Sequence, residues 1–347
     1  MRPSVFIPII TFGWGAMAAL IGVARHQSQL IALRFLLGVF EAGFSVSKRF
    51  IIFLTAGILS GAFGSVVSGA ITSTLDGTHG VRGWRWLFIV EGTATAGISL
   101  IVHWTLLDYP HSSRGLTLQE QDLVQQRLIQ DGMADPTGPS SPSENRASLL
   151  TSFLQAVCSW RTWLLVPAYM TILGTLAISY FYPTLINGMG YTATNAQYMM
   201  APLYLVSLVA IPVCFLADRN PHLRGVFLVL NLGTGVVFFA LTAGIQNYTA
   251  RYVFLCFINM TIWTGNALGL SFATTALASV TRDVRAIMLA LMNGIAALAQ
   301  LYGSALFPED DAPGYLVGFA VLAATFAIGA VFYGVADVLF KRYPYKG

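Results

Sequence analysis

The sequence predicts an all-α protein that crosses a membrane many times as a bundle of helices. Hydrophobic residues make up 56% of the 347-residue chain and charged residues only 10%. A soluble domain carries roughly 25% charged residues, so this composition is typical of an integral membrane protein. Apolar runs recur from one end of the chain to the other. The fold class is therefore a polytopic membrane helical bundle.

Ten apolar segments are long enough to cross a hydrocarbon core of about 30 Å as helices. The second is the shortest, and prolines interrupt the sixth. In chain order the predicted spans are 4–24, 29–47, 50–72, 86–107, 163–183, 198–217, 225–245, 252–274, 284–306 and 314–340.

The basic residues predict the orientation of these spans. Ten crossings place both termini on one side, and fourteen of the nineteen Lys and Arg residues fall in the loops of that side. The opposite loops hold only Arg25, Arg82, Arg85 and Arg251. Because basic loops remain in the cytoplasm, we expect cytoplasmic termini. The same asymmetry accounts for the net charge of +4, so that charge does not indicate a nucleic-acid partner.

One long polar segment, residues 108–161, divides the chain into three parts. Residues 1–107 form a bundle of four spans, and residues 162–347 form a bundle of six. Within the polar segment, Leu123 and Leu128 recur among acidic and amide residues and predict a short amphipathic helix with Thr117 as its cap. The following GMADPTGPSSPSENR predicts a flexible linker on the cytoplasmic side.

The second predicted span carries two charges where membrane spans ordinarily carry none. Arg34 and Glu41 are seven residues apart, so they share a helix face about 10 Å apart along the axis, with Gly38 between them. A charge at the bilayer centre costs about 3 kcal/mol on insertion scales, so it normally faces a bundle interior or a water-filled cavity. We expect a polar path here; a fixed ion pair is the alternative.

The third span is rich in small residues at a spacing of four, among them Gly57, Gly61 and Ser65. Rows of this kind let helix backbones approach closely. The pattern predicts tight packing, and the alternative is a surface that slides during a conformational change.

Neutral polar side chains mark the spans of the C-terminal part. Amides in hydrocarbon indicate either hydrogen bonds between helices or a substrate cavity. For Trp263 and Asn266 we favour a cavity, because Gly265 and Gly269 open the backbone around them; for Asn293 and Gln300 we favour packing. The polar residues of the fifth span are Tyr169, Thr175, Ser179, Tyr180 and Tyr182, and Asn259 precedes Trp263 by one turn on the eighth.

Glu91 and His103 lie in the fourth span. Glu91 is a weaker candidate for proton handling, since it lies near Arg82 and Arg85 and could brace them. His103 is weaker still, because a lone histidine in a span usually makes a local hydrogen bond.

Enzyme chemistry finds no support in the sequence. The chain has no phosphate-binding Gly-Lys-Ser/Thr loop and no HExxH motif, and Cys158, Cys214 and Cys256 are scattered without metal-ligand spacing. We therefore expect no catalytic residues, no metal and no cofactor.

Four passages together resemble one family. They are RFLLGVFEAGF at 34–44, GWRWLFIVEG at 83–92, DYP followed by LTLQEQDLVQQRL within 108–128, and FPEDDAPGYLVG at 307–318. The chain resembles the major facilitator superfamily, specifically its fungal anion:cation symporter group, which includes allantoate, nicotinate, pantothenate and biotin permeases.

The resemblance implies twelve helices in two halves of six, with substrate held near the midplane. The ten predicted spans would correspond to the third through twelfth, so we expect a permease shortened by its first two helices. Arg34 and Gly38 lie in the family's RxxxG pattern, which is associated with proton coupling or anion binding. Asp218, Arg219 and Arg224 resemble the cytoplasmic loop signature of the second half, which latches helix ends; an ordinary basic loop is the alternative.

The expected function is secondary active transport of a small organic anion, coupled to protons. Arg34 would hold the carboxylate or tune the proton site, and Glu41 would carry the proton. Tyr180, Tyr182, Trp263 and Asn266 would shape the opposite wall. Substrate, protons and the lipid bilayer are the expected partners of a monomer in the plasma membrane. Export of a metabolite, a nontransporting sensor and an inactive shortened permease remain as alternatives.

Overall fold

The computed structural model describes residues 3–41, 50–106, 117–130, 149–312 and 314–343. These ranges form fourteen α-helices and five short 3-10 helices, with no strand among them. The α-helices are α1 Pro3–Val23, α2 Gln27–Glu41, α3 Phe50–Thr74, α4 Gly83–Thr105, α5 Leu118–Gln130, α6 Leu149–Cys158, α7 Trp160–Leu176, α8 Tyr182–Asn187, α9 Ala193–Ser207, α10 Ala210–Arg219, α11 Arg224–Gly244, α12 Tyr248–Ala276, α13 Arg282–Ala297 and α14 Leu316–Arg342.

Nine of the ten predicted spans appear among the described residues as helices long and apolar enough to cross a membrane. The remaining one is the second span in chain order, predicted over residues 29–47. The structure describes it as the 15-residue helix α2, which ends where the described range ends. It falls short of a full crossing within that range, so its status as a span stays a prediction.

Proline divides two of the spans. The fifth span runs through α7, continues as a 3-10 helix over Ala177–Phe181 and resumes as α8, whose first turn contains Pro183. The sixth span divides into α9 and α10 at Leu208 and Val209, with Pro202 and Pro212 on either side. Proline removes a backbone donor and clashes with the preceding turn, which accounts for both interruptions.

The predicted amphipathic helix of the polar segment is present as α5. The Thr117 hydroxyl accepts from the Glu120 backbone N–H at 3.4 Å, and a Glu120 carboxylate oxygen accepts from the Thr117 N–H at 2.9 Å. This reciprocal pair is a capping box. The two hydrogen bonds from Thr117 hold the pKa of the Glu120 carboxyl below its usual range. The second short helix of this region, α6, was not predicted from the sequence.

The chain divides into two compact units. The first comprises Met1–Ser47 and Ala70–Arg146, and the second comprises Lys48–Gly69 and Ala147–Gly347. Helix α3 thus contributes residues to both. The predicted division at residues 107–108 and 161–162 stays a prediction.

In the first unit, α1 and α4 pack with their backbones close together. An ideal Cβ at Gly15 would lie 2.7 Å from the backbone N of Ala96, so only glycine fits this approach. At one end of the pair, the Arg85 guanidinium donates to the Ala24 carbonyl at 3.1 Å.

In the second unit, α7 and α12 form the centre of the core. The most apolar windows of the spans built on these helices are each 61% buried, far more than those of the other spans. Large side chains from the neighbouring helices fill the space around them, and Phe239 of α11 meets Phe326 of α14 edge to face at 5.4 Å.

The small residues of α3 receive aromatic rings of the second unit. An ideal Cβ at Gly61 would lie 2.5 Å from Cε1 of Tyr204, and one at Gly69 would lie 2.9 Å from Cε1 of Tyr198. An ideal Cβ at Gly57 would lie 3.5 Å from Cζ3 of Trp263. The predicted tight packing is therefore present. The space beside the small residues is filled by aromatic rings, whereas the backbone of a second helix was expected there.

We predict that Gly61→Ala destabilises the protein, because the added methyl group overlaps the Tyr204 ring and overpacking costs about 1–3 kcal/mol. The apparent melting midpoint of the purified protein in detergent should fall by several degrees. Gly64→Ala is the matched control, since a Cβ at Gly64 meets nothing within 4 Å. Equal midpoints for the two variants would contradict close packing of the Tyr204 ring against Gly61.

Candidate functional site

A buried amide on α12 joins three helical segments of the second unit. The Tyr182 hydroxyl donates to Oδ1 of Asn259 at 3.0 Å. Nδ2 of Asn259 donates to the Leu203 carbonyl at 3.1 Å and to the Ser207 hydroxyl at 2.8 Å. Tyr182, Asn259 and Ser207 are each completely buried. Tyr182, predicted as a substrate contact, is thus hydrogen-bonded to protein in this conformation.

Two helical turns further along α12, Asn266 makes a second link between helices. The Tyr169 hydroxyl of α7 donates to Oδ1 of Asn266 at 2.6 Å. The nearby glycines give room to neighbouring side chains: Gly265 faces the amide of Asn231, and Gly269 faces the Tyr333 hydroxyl. That hydroxyl is buried, with no hydrogen-bond partner in the described part of the chain. Polar groups of α7, α11 and α14 therefore lie against α12 on different sides of the helix.

Trp263 lies between these two amides on α12. Its ring meets Tyr204 edge to face with centroids 6.4 Å apart, and it also faces Gly57. The indole Nε1 is buried and has no acceptor among the residues that the structure describes. An indole N–H is a donor only, so this atom is available to an acceptor on a ligand.

Tyr180 is 70% exposed, and its hydroxyl donates to Oε1 of Gln300 at 3.2 Å. This bond joins the fifth and ninth spans, and the packing role favoured for Gln300 stays a prediction. Asn293, seven residues earlier, is exposed on α13.

A cavity of about 340 Å³ opens between α8, α9 and the beginning of α14. None of the predicted site residues lines it. Its lining consists of Pro183, Thr184, Asn187, Gly188, Ala193, Gln197 and Tyr315.

The first unit holds predicted site residues that can carry a charge. Arg34 is exposed on α2, and no ion pair of its guanidinium is found among the described residues. The environment of Gly38 and the side chain of Glu41 lie outside the described residues, so the predicted relation of Arg34 and Glu41 stays a prediction. Glu91 is exposed on α4. Nδ1 of His103 lies 2.8 Å from the Ser4 carbonyl of α1, so this contact joins two helices, and the role of His103 stays a prediction.

A charged cluster ties three helices of the second unit together at one end. Arg224 pairs with Asp218 at 2.7 Å and donates to the Thr275 hydroxyl and to the Ser271 carbonyl at 3.4 Å. The cluster links the last turn of α10, the beginning of α11 and the final turns of α12. Arg219 takes no part in it and lies over the Phe215 ring at 6.0 Å.

The structure places neutral polar side chains around α12 that the sequence identified only in part. Trp263 and Asn266 were selected, but their neighbours Tyr204, Tyr333 and Asn231 were not. Each is an isolated polar residue in an apolar span, which was the available signal. No group of residues suited to a metal is found among those described.

We predict that Asn259→Ala lowers the melting midpoint more than Asn293→Ala. Hydrogen bonds between membrane helices average about 0.6 kcal/mol, so losing three costs about 2 kcal/mol. Asn293→Ala is the matched control because that amide is exposed. Thermal unfolding of both variants in the same detergent tests the difference, and equal midpoints would show that the Asn259 network does not hold the helices.

Comparison with known proteins places the chain in a family. The family model described as Major Facilitator Superfamily matches residues 2–308. The chain is 30% identical over 271 residues to the MFS transporter prlL of Fungal sp. (strain NRRL 50135), a match that covers 73% of this chain and 53% of that protein. It is 25% identical to the uncharacterized transporter C1002.16c of Schizosaccharomyces pombe, covering 99% of this chain and 69% of that one.

The chain is also similar to a transporter with a named substrate. It is 23% identical to the high-affinity nicotinic acid transporter of Saccharomyces cerevisiae, covering 99% of this chain and 65% of that protein. The chain thus spans about half to two thirds of the length of these curated relatives.

Among solved structures, the chain is similar to a bacterial homologue of the human lysosomal transporter Spinster in an inward-facing and unoccupied conformation. The TM-score is 0.67, with 99% of this chain and 85% of that chain covered and 16% sequence identity. At this identity the likeness shows the fold alone.

Proposed function

This chain belongs to the major facilitator superfamily, and we propose that it carries a small organic anion across a membrane by alternating access, together with protons. The superfamily consists of multi-pass membrane transporters rather than enzymes, in agreement with the sequence-based expectation. The finer parts of the proposal concern the substrate, the coupling ion and the residues that act.

The exposed guanidinium of Arg34 is the observation that carries the proposal. It projects from α2, whose other charged residue is Glu41, and no ion pair of the Arg34 side chain is found in the part of the chain that the structure describes. A charge in a membrane helix is expensive to place, so it is retained where it has a task. A guanidinium binds a carboxylate with two parallel hydrogen bonds, and it cannot release its own proton.

The anionic substrate class follows from this chemistry and from one relative. Nicotinic acid, the substrate named for the yeast relative, is a carboxylic acid on a small aromatic ring. Trp263 Nε1, a buried donor without an acceptor among the described residues, is a further proposed substrate contact. On this basis we assign the chain to the anion:cation symporter group, with a carboxylated vitamin or ureide as substrate.

Glu41 is the proposed proton carrier, since a carboxyl group can gain and lose a proton where a guanidinium cannot. Asp218 and Arg224 are proposed to hold the ends of their helices in one access state. We further propose that the protein works as a monomer in the plasma membrane, with its termini in the cytoplasm and no nucleic-acid partner.

We predict that Arg34→Ala reduces uptake of a labelled carboxylate about tenfold or more, because a hydrogen bond to a charged group contributes about 1.5–3 kcal/mol. Arg34→Lys should give an intermediate rate, since lysine keeps the charge and loses the paired geometry. Uptake is measured in cells lacking their own permeases, with nicotinate and its neutral amide compared side by side.

Arg25→Ala is the control for this series, because Arg25 is a basic residue exposed in the loop before α2. Its uptake should equal that of the unaltered chain at equal surface expression. Retained uptake by Arg34→Ala would remove Arg34 from the mechanism. Equal uptake of nicotinate and its amide would contradict an anionic substrate, and net efflux would favour an exporter.

For Glu41→Gln we predict uptake that no longer responds to the proton gradient, because the amide keeps the shape of the side chain and cannot titrate. Asp122→Asn is the control, since Asp122 is an exposed carboxylate on α5, outside the predicted spans. Uptake rates with and without a protonophore give the comparison. A Glu41→Gln protein that still loses uptake on collapse of the gradient would place the proton site elsewhere.

A further inference from the structure

Helix α6 is too short to span a membrane, and its ten residues divide into three faces. We infer that α6 lies in the plane of the membrane surface as an anchor, with one face in lipid, one in water and one against the second unit. The relevant partner is the acyl boundary of the bilayer.

The first face is apolar and exposed. Leu150 is 66% exposed, Phe153 44% and Leu154 52%. At 100° per residue these three side chains fall within an arc of about 100° on one side of the helix. Three large apolar side chains in such an arc form a surface that water covers poorly.

The second face is small and buried. Ser152 and Ala156 are 2% and 0% exposed, and they lie on the side where α6 packs against α7 and α13. The junction with α7 is fixed by two side chains that satisfy carbonyl groups of the last turn. The Thr162 hydroxyl donates to the Ala156 carbonyl at 2.6 Å, and the Trp163 indole donates to the Val157 carbonyl at 2.7 Å.

The third face is polar and exposed. Thr151 and Gln155 lie on it, and Cys158 stands at its border with the apolar face. A helix packed on protein along its small face therefore presents one apolar and one polar face to its surroundings. This division matches the boundary between acyl chains and water at a bilayer surface.

The apolar face lies close in sequence to the beginning of a candidate membrane span. Trp160 and Trp163, which are 47% and 52% exposed, begin the membrane span Trp160–Asn187 directly after α6. Tryptophan is enriched where a span meets the membrane–water interface. Since α6 ends two residues before Trp160, its exposed leucine and phenylalanine side chains lie next to this interface.

Insertion of α6 depends on apolar contact rather than on charge. The helix has no charged residue. Arg161, three residues after α6, is buried, donates to the Tyr343 carbonyl at 2.6 Å and lies over the rings of Trp160 and Phe340. This side chain also ties the beginning of α7 to the end of α14, which gives α6 a rigid support.

Fluorescent labels on the full chain in vesicles test the inference. Single-cysteine variants L150C and F153C report on the apolar face, and T151C and Q155C are matched controls on the polar face. Their background carries Cys158→Ser, Cys214→Ala and Cys256→Ala. A lipid-attached nitroxide should quench the labels at 150 and 153 several-fold more than iodide does, and the order should reverse at 151 and 155. Phosphatidylcholine vesicles with and without phosphatidylserine should give the same result.

Stronger quenching of positions 150 and 153 by iodide, protection from both quenchers by another part of the protein, or a requirement for phosphatidylserine would each overturn the inference. A second measurement needs no substitution. The unaltered chain is photo-crosslinked to a lipid that carries a photoreactive acyl chain, and the modified peptides are mapped. Adducts on Leu150, Phe153 or Leu154 are expected, and their absence beside abundant adducts on the span that begins at Trp160 would refute the lipid contact.

Discussion

In the hydrocarbon interior of a bilayer, a polar group finds no water to hydrogen-bond with, so it must find its partner within the protein. The hydrogen bonds of the second unit follow from this constraint. Asn259 satisfies its amide through Tyr182, Leu203 and Ser207, and Asn266 through Tyr169. Each bond joins different helices, so the polar residues fix which helices are neighbours. Apolar side chains alone do not determine which helices are neighbours, because a leucine contacts lipid tails as favourably as it contacts another helix.

The same constraint identifies the groups available for function. Trp263 Nε1 and the Tyr333 hydroxyl are buried without a partner among the described residues, although most of their polar neighbours are paired. An unpaired buried donor is costly unless it gains a partner in some state of the protein. In the first unit, Arg34 is exposed, and no ion pair of its guanidinium is found among the described residues. A carrier that binds and releases an anion needs donors that its own structure leaves unsatisfied.

Apolar length made the spans predictable from sequence, because a helix of about 20 apolar residues has few other stable environments. The proline breaks and the Thr117 cap were predictable for similarly local reasons. The partners of Asn266 and Trp263 were not, since Tyr169 and Tyr204 come from helices distant in sequence and the pairing depends on which helices are neighbours. Helix α6 was missed because ten residues are too few to stand out as a span.

The most direct test of proton-coupled anion transport is whether a carboxylate accumulates in proteoliposomes that contain only this chain. Labelled nicotinate and related acids are supplied outside, with the exterior made more acidic than the lumen. We expect at least one acid to accumulate above its external concentration, and we expect collapse of the gradient to abolish this accumulation. Equilibration without accumulation, or accumulation unaffected by the gradient, would contradict proton-coupled transport by this protein.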